Sequence, residues 1–389
     1  MKSERWFYYI FVLLLIIFFW RTADFWYSSS YSGDTESADV LLYAALSGVD
    51  CMSLIMIFTT HRFRNQRSRI PTICFWWDII MLVVIIYNKT PISQYPKCLA
   101  WPLFFQASYL FIRRDKSLLN EFRNFFYVLA IIGAIYLIGA MRIKNLESQT
   151  NMVYFFLLTI PGLILSHNSK WRYFILVFAT FIAFISMKRS VILSLVLFWG
   201  IMGFKLVFDK GRKGFAIVLV GVMAIGVLGL FKIADNLSDG NLSLRTVDYQ
   251  KEDISNGRLT IYRVTIDMIK EKSPIHLLIG NGHNGVRRDS PLEISAHNEF
   301  LEIIYDYGLI MLIIYLCFWA YILKQWLYHY RNDTIYFVPY TLSVCLFGVM
   351  ALVSQLVLYV SYFLYLVMFW GMVAAAKDME GEKNGITLE

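Results

Sequence analysis

Charge is scarce in this sequence, and the scarcity excludes most fold classes at once. Only 16% of the 389 residues are Asp, Glu, Lys or Arg, against 58% hydrophobic. Mean hydropathy is +0.54, far too apolar for a soluble fold of this length. Cysteine is also short. All five (Cys51, Cys74, Cys98, Cys317 and Cys345) fall within or at the ends of apolar runs. No disulfide can therefore staple the polar segments, and no Cys/His spacing suits a metal. An Asp-x-Asp triplet, the usual mark of a nucleotide-sugar site, is absent. A cleavable leader is not expected either. Met1 to Arg5 and the apolar run to Trp20 imitate one, but Arg21-Thr22-Ala23-Asp24 offers no small-x-small cleavage site, so the run reads as an uncleaved first span.

What the chain has in abundance is apolar runs of about 20 residues, the length that crosses a ~30 Å hydrocarbon core. Twelve spans are expected, at about 6–22, 38–60, 70–88, 97–112, 125–141, 151–166, 173–187, 190–208, 215–232, 301–323, 334–351 and 353–376. With the N-terminus inside, the short inner segments hold nineteen Lys and Arg, and the short outer ones hold seven. That bias places both termini in the cytoplasm and the long 233–300 loop outside. The net charge of +8 is largely this topology signal and implies no nucleic-acid partner. Aromatics near span ends, such as Trp20, Trp26, Trp101, Tyr328 and Trp370, suit interfacial belts against membrane lipids. The chain thus divides into spans 1–9 over 1–232, an outer loop over 233–300, and spans 10–12 with an inner tail over 301–389. The class is an all-α integral membrane protein.

The loop is too long to be a mere connection. Its first part, Asp235 to Asp253, reads as irregular. From Ser255, a plausible N-cap, the pattern turns helical over about 256–272. Leu259, Tyr262, Ile266 and Ile269 form one apolar stripe, and Pro274 ends the element. Arg258 and Arg263 flank the stripe, placed to meet phosphate or simply to snorkel. Gly280-Asn281-Gly282-His283-Asn284-Gly285 is a literal G-x-G-x-x-G. It lacks the strand–helix context of a dinucleotide site, and Val286-Arg287-Arg288 is no helix start. A turn permitting close backbone approach survives, with Gly280 and Gly282 as its substrate-facing candidates.

Ser295 is the expected N-cap of span ten, which would put His297 in the first helical turn. There the dipole keeps an imidazole neutral and fit to act as a general base. The bland alternative is an interfacial polar residue. Glu299, Glu302 and Asp306 line the opposite face of that helix and are assigned to packing or water contact. Lys188-Arg189 sit in a tight outer turn. Asp50 and Asp78 lie in mid-span, where ionisable residues are functional candidates by default.

Several of these segments together resemble the O-antigen ligase and polymerase family: Asn256-Gly257-Arg258-Leu259-Thr260-Ile261-Tyr262-Arg263, the Gly280/Gly282 turn, and Ala296-His297-Asn298-Glu299-Phe300-Leu301-Glu302 followed by Tyr307-Gly308-Leu309. Lys188-Arg189-Ser190 is similar to that family's Arg-Ser element before a middle span. The resemblance implies a GT-C-like bacterial inner-membrane glycosyltransferase with its site facing the periplasm. Its donor would be an undecaprenyl-pyrophosphate-linked oligosaccharide. It implies Arg189 and Arg258 on the diphosphate, with Lys188 and Arg263 in reserve, and His297 as base for inverting transfer without cofactor or metal. The acceptor would be the non-reducing end of a second lipid-linked glycan, making the protein a polymerase, with a chain-length regulator as a further partner. Transfer to lipid A–core, as a ligase, is the alternative. An ion-coupled exporter or flippase is a third reading, for which Pro161-Gly162, Asp50 and Asp78 are the only support.

Overall fold

A computed structural model describes residues 2–31, 40–63, 72–143, 151–165, 169–186, 188–209, 257–354 and 360–383, with Gly229 and Lys232 besides. Helices follow in the order α1 (Lys2–Tyr31), α2 (Val40–Phe63), α3 (Thr72–Tyr87), α4 (Tyr95–Arg114), α5 (Leu118–Ile143), α6 (Met152–Leu157), α7 (Ile160–Leu163), α8 (Ser169–Ile185) and α9 (Arg189–Asp209). After these come α10 (Arg258–Lys270), α11 (Pro274–Ile279), α12 (Gly285–Asp289), α13 (Glu299–Asp306), α14 (Gly308–Arg331), α15 (Phe337–Val353) and α16 (Val360–Lys383). No strand occurs among the described residues. This is what a bilayer demands of an open chain, since each helix satisfies its own backbone polar groups.

Helix covers every expected span except the ninth, which lies, like the 235–253 stretch and Ser255, outside the described residues but for Gly229 and Lys232. Among the described residues, six helices are long and apolar enough to cross a membrane: α1, α2, α5, α9, α14 and α16. Three further apolar stretches are shorter, at Thr72–Tyr87, Met152–Leu163 and Phe337–Val353.

The core gathers around α4 and α16. Within α4, all residues from Ala100 to Ile112 are buried, and the apolar stretch of α16 is 89% buried against 28% for α14. Trp77, Trp101, Phe318, Phe347, Phe363 and Trp370 interlock there, with Trp101 and Phe318 centred 4.7 Å apart and Phe347 and Trp370 5.1 Å apart. Offset and edge-on aromatic pairs of this kind add to simple burial.

Polar contacts sort the two ends of the bundle. At one end Arg5 meets Asp115 (3.3 Å), Tyr109 donates to Asp378 (2.7 Å) and Lys377 donates to Gln325 (2.8 Å). These contacts bring the N-terminal and C-terminal helices together at that end. The segment from Gly257 to Asp306 sits at the other end. Gly282 lies against Asn88 and Thr90 there, and Tyr262 and Asn298 reach Leu352 at the end of α15.

Candidate functional site

Span ten does not begin as expected. Asn298, not Ser295, caps the helix: its Oδ1 accepts from the N–H groups of Phe300 (3.1 Å) and Leu301 (3.2 Å). His297 therefore precedes the helix instead of opening it, with φ at +51° in the left-handed region. The dipole argument for a neutral ring gives way to another. Burial, and then the positive charges of Arg258 and Lys188, push His297 below the ordinary histidine range. Among the described residues nothing hydrogen-bonds its imidazole, and neither ring nitrogen is sealed in protein.

The structure brings three distant pieces of sequence to this ring. Arg258 is the first residue of α10, follows the left-handed Gly257, and is half-buried with no acidic partner among the described residues. Lys188 immediately precedes α9; its Nζ donates to Asn151 Oδ1 (2.6 Å) and sits 5.6 Å from the Tyr154 ring centre. Tyr154 shares a 2.6 Å hydrogen bond with Ser190 and also lies in the field of Arg258. So α9, α10 and α13 all start around His297, and helix N-termini favour anions. Arg189 opens α9 with an exposed side chain. Arg263 is exposed on α10, while Thr265 is that helix's buried residue. Of the apolar stripe, Leu259 is 55% and Ile266 39% exposed, while Ile269 packs on Val286, Ala296 and Tyr305. Tyr262 turns inward, donating to Leu352 O (2.9 Å) and His297 O (3.3 Å).

Of the two roles expected for the acidic stripe, the structure shows packing. Glu299, Glu302 and Asp306 are fully buried and do not meet water. Glu299 Oε2 accepts from the Tyr315 hydroxyl (2.6 Å), Glu302 Oε2 from the Ala296 N–H (2.6 Å) and Asp306 Oδ1 from the Val286 N–H (2.8 Å). Carboxylates so sunk are matched to donors or made neutral. Burial, then mutual repulsion, raises the Glu302 carboxyl, and burial raises that of Asp306.

Gly280 and Gly282 approach the chain itself. The N–H groups of Asn281 and Gly282 donate to Tyr305 O (3.1 Å) and Asp306 O (2.8 Å). Gly280 (φ +82°) presses on the Asp306–Tyr307 backbone, and Gly308 (φ +83°) presses in turn on Leu278 and Ile279. A Cβ at either position would collide with backbone, so the two glycines lock the loop onto the break between α13 and α14. The close approach of Gly280 is thus to the protein's own backbone. Val286 and its neighbours do begin a helix, the single turn of α12, because Asn284 turns left-handed (φ +58°) ahead of it. His283 is tied into this lock through a 2.6 Å hydrogen bond between Nδ1 and the Tyr307 hydroxyl. Burial, then Lys97, pushes its imidazole down to about 4. His276 pairs with Ser273 (2.9 Å).

Asp50 and Asp78 are buried among the helices, away from these contacts. Asp78 accepts from Gln106 (3.1 Å), and Asp50 borders a cavity of about 390 Å³ between α2 and α4. Among the described residues no group of three His, Cys, Asp or Glu is placed to hold a metal ion.

The residues that sequence reasoning missed are Tyr262 and Asn298 as anchors and Tyr154 with Ser190 beside Lys188. Only Asn298 carried a local signal, since Asn is a strong N-cap residue. No curated protein and no solved structure matches the chain. Residues 174–316 match a family model described as O-antigen ligase, a stretch that takes in Lys188, Arg258 and His297. Over that stretch, about a third of its length, the chain is similar to the O-antigen ligase family.

Proposed function

We propose that the chain is a membrane glycosyltransferase that uses a polyprenyl-diphosphate-linked glycan as donor. The observation that carries this reading is the open, unbonded imidazole of His297 beside Arg258 and Lys188. A glycan on a lipid diphosphate needs a base at the acceptor hydroxyl and cations at the departing phosphate, and that pairing is what surrounds His297.

In this reading His297 takes the proton of the acceptor hydroxyl as its oxygen bonds to the anomeric carbon. The bond from that carbon to the diphosphate breaks on the opposite side, so configuration inverts. The electron pair leaves with the lipid diphosphate. Arg258 offers it a planar two-pronged donor, and Lys188 and Arg189 add charge at the start of α9. Preorganised cations of this kind, in a site shielded from water, act where charge develops. Arg263, exposed on α10, stands in reserve for the lipid phosphate at the membrane surface. The site faces the side of an inner membrane opposite to both termini, where lipid-linked glycans are assembled into polymers.

The acceptor assigned is the non-reducing end of a second lipid-linked unit, making the protein a polymerase. In a ligase the same machinery delivers the glycan to lipid A–core, and the matched family accommodates either reading. The surface glycan of a deletion strain separates them. One repeat unit on core means polymerase. Bare core with glycan retained on the lipid carrier means ligase. Neither defect would remove the protein from glycan assembly altogether.

A further inference from the structure

His297 stands in the left-handed region, φ +51°, which a non-glycine residue adopts only under strain, so something must hold it there. Two side chains flank it, one from each direction. The Tyr262 hydroxyl reaches the His297 carbonyl (3.3 Å) and the Leu352 carbonyl (2.9 Å). Asn298 spends its Oδ1 on capping α13 and sends its Nδ2 to the same Leu352 carbonyl (3.3 Å). Leu352 lies in the last turn of α15, where carbonyls have no intrahelical donor and are free to accept. A hydroxyl has one proton, so Tyr262 divides it between two acceptors and favours the nearer one. The outcome is a bridge from α10 to the end of α15 that holds the backbone of His297 and Asn298 against it.

We propose that Tyr262 and Asn298 are positioning residues that clamp His297 to the Leu352 carbonyl and so set where the base meets the acceptor hydroxyl. This inference rests on the proposed role of His297. It adds that the site is assembled by the tip of a helix outside the family-matched stretch. Neither residue touches the reacting atoms. Their effect runs through the backbone on either side of the imidazole.

The test uses full-length protein in lipid nanodiscs with undecaprenyl-diphosphate-linked oligosaccharide. Tyr262→Phe keeps the ring and its packing but removes the tether. Asn298→Ser keeps a capping oxygen but loses the amide that reaches Leu352. Each is expected to insert and fold normally and to lower kcat on the order of 10- to 100-fold, the scale of a base displaced by about 1 Å. KM for the donor should change less than about twofold, because Arg258 and Lys188 stay in place. A released imidazole also moves toward water, so the acid limb of the kcat profile should shift to higher pH in Tyr262→Phe. A purely structural tyrosine would lower stability and leave that limb where it was. His297→Ala is measured alongside. If it stays active, the base assignment has failed. If it is inactive while Tyr262→Phe and Asn298→Ser keep wild-type kcat and pH profile, the clamp alone is wrong.

Discussion

Two sides of one ten-residue stretch are built from opposite charges and used in opposite ways. On one side His297 stands open beside Arg258 and Lys188. On the other, Glu299, Glu302 and Asp306 are wholly buried and spend their oxygens on a tyrosine hydroxyl and two backbone N–H groups. The acids are consumed in fastening the loop. Arg258 is matched to no acid among the described residues, which leaves it available to an anionic ligand. Ionisable residues in a membrane protein draw attention as functional by type. What separates function from scaffold here is whether the partner is already inside the protein.

The sharpest break in this contrast is His297→Ala. Turnover should fall ~100- to 10,000-fold, the usual worth of a positioned general base, while thermal stability in nanodiscs stays unchanged. Product formation from lipid-linked donor measures it, and near-normal turnover would remove His297 from the mechanism. Arg258→Lys comes next. A point charge does not replace the planar fork, so the loss should be about 30- to 1000-fold, with Arg263→Ala much milder. The reverse order would mean that the exposed face of α10 is the working one.

On the acidic side the expected change is in stability instead of turnover. Asp306→Ala leaves the Val286 N–H buried without a partner, at a cost of about 1–3 kcal/mol. Unfolding temperature and protease sensitivity of the Gly280–Asp289 segment should report it. Gly280→Ala should do at least as much, since φ there is +82° and the new methyl would meet backbone. If instead either variant keeps its stability and loses only kcat, the division of labour drawn here is wrong.

The smallest effects are in pH. Burial and neighbouring cations lower the His297 pKa, so the neutral ring persists into mild acid and the acid limb should lie below 6.5. Arg258→Gln removes one of those cations, and its residual activity should show the limb moved upward, though only in part because burial is the larger cause. The carboxyls run the other way. With their pKa values raised, the folded protein holds more protons than the unfolded chain, so stability should fall as pH rises. Glu302→Gln should flatten that fall; a slope identical to wild type would mean that Glu302 does not carry it.

The reasons some features were legible and others not are physical. The start of α10 could be read because a helical period and a following Pro274 are local signals. Its buried face could not, because burial depends on Val286, Ala296 and Tyr305 arriving from elsewhere. Both Ser295 and Asn298 are competent caps in isolation. Asn298 takes the position in the structure, and its amide also finds the Leu352 carbonyl 54 residues away. Gly280 and Gly282 were visible as a turn, but what they approach is backbone from 305–307.

Sequence by itself determined that this chain folds as apolar helices, marked residues around 258 and 297 as candidates for the chemistry, and gave the family that its 174–316 stretch resembles. These follow from composition, period and short motifs, which act over a few residues. Tertiary structure alone decided that His297 precedes its helix, that the acids are buried in the packing, and that Tyr262 reaches the carbonyls of both His297 and Leu352. Those outcomes turn on which hydrogen-bond donors and acceptors meet across long separations. A buried polar group must take whatever partner the packing brings to it.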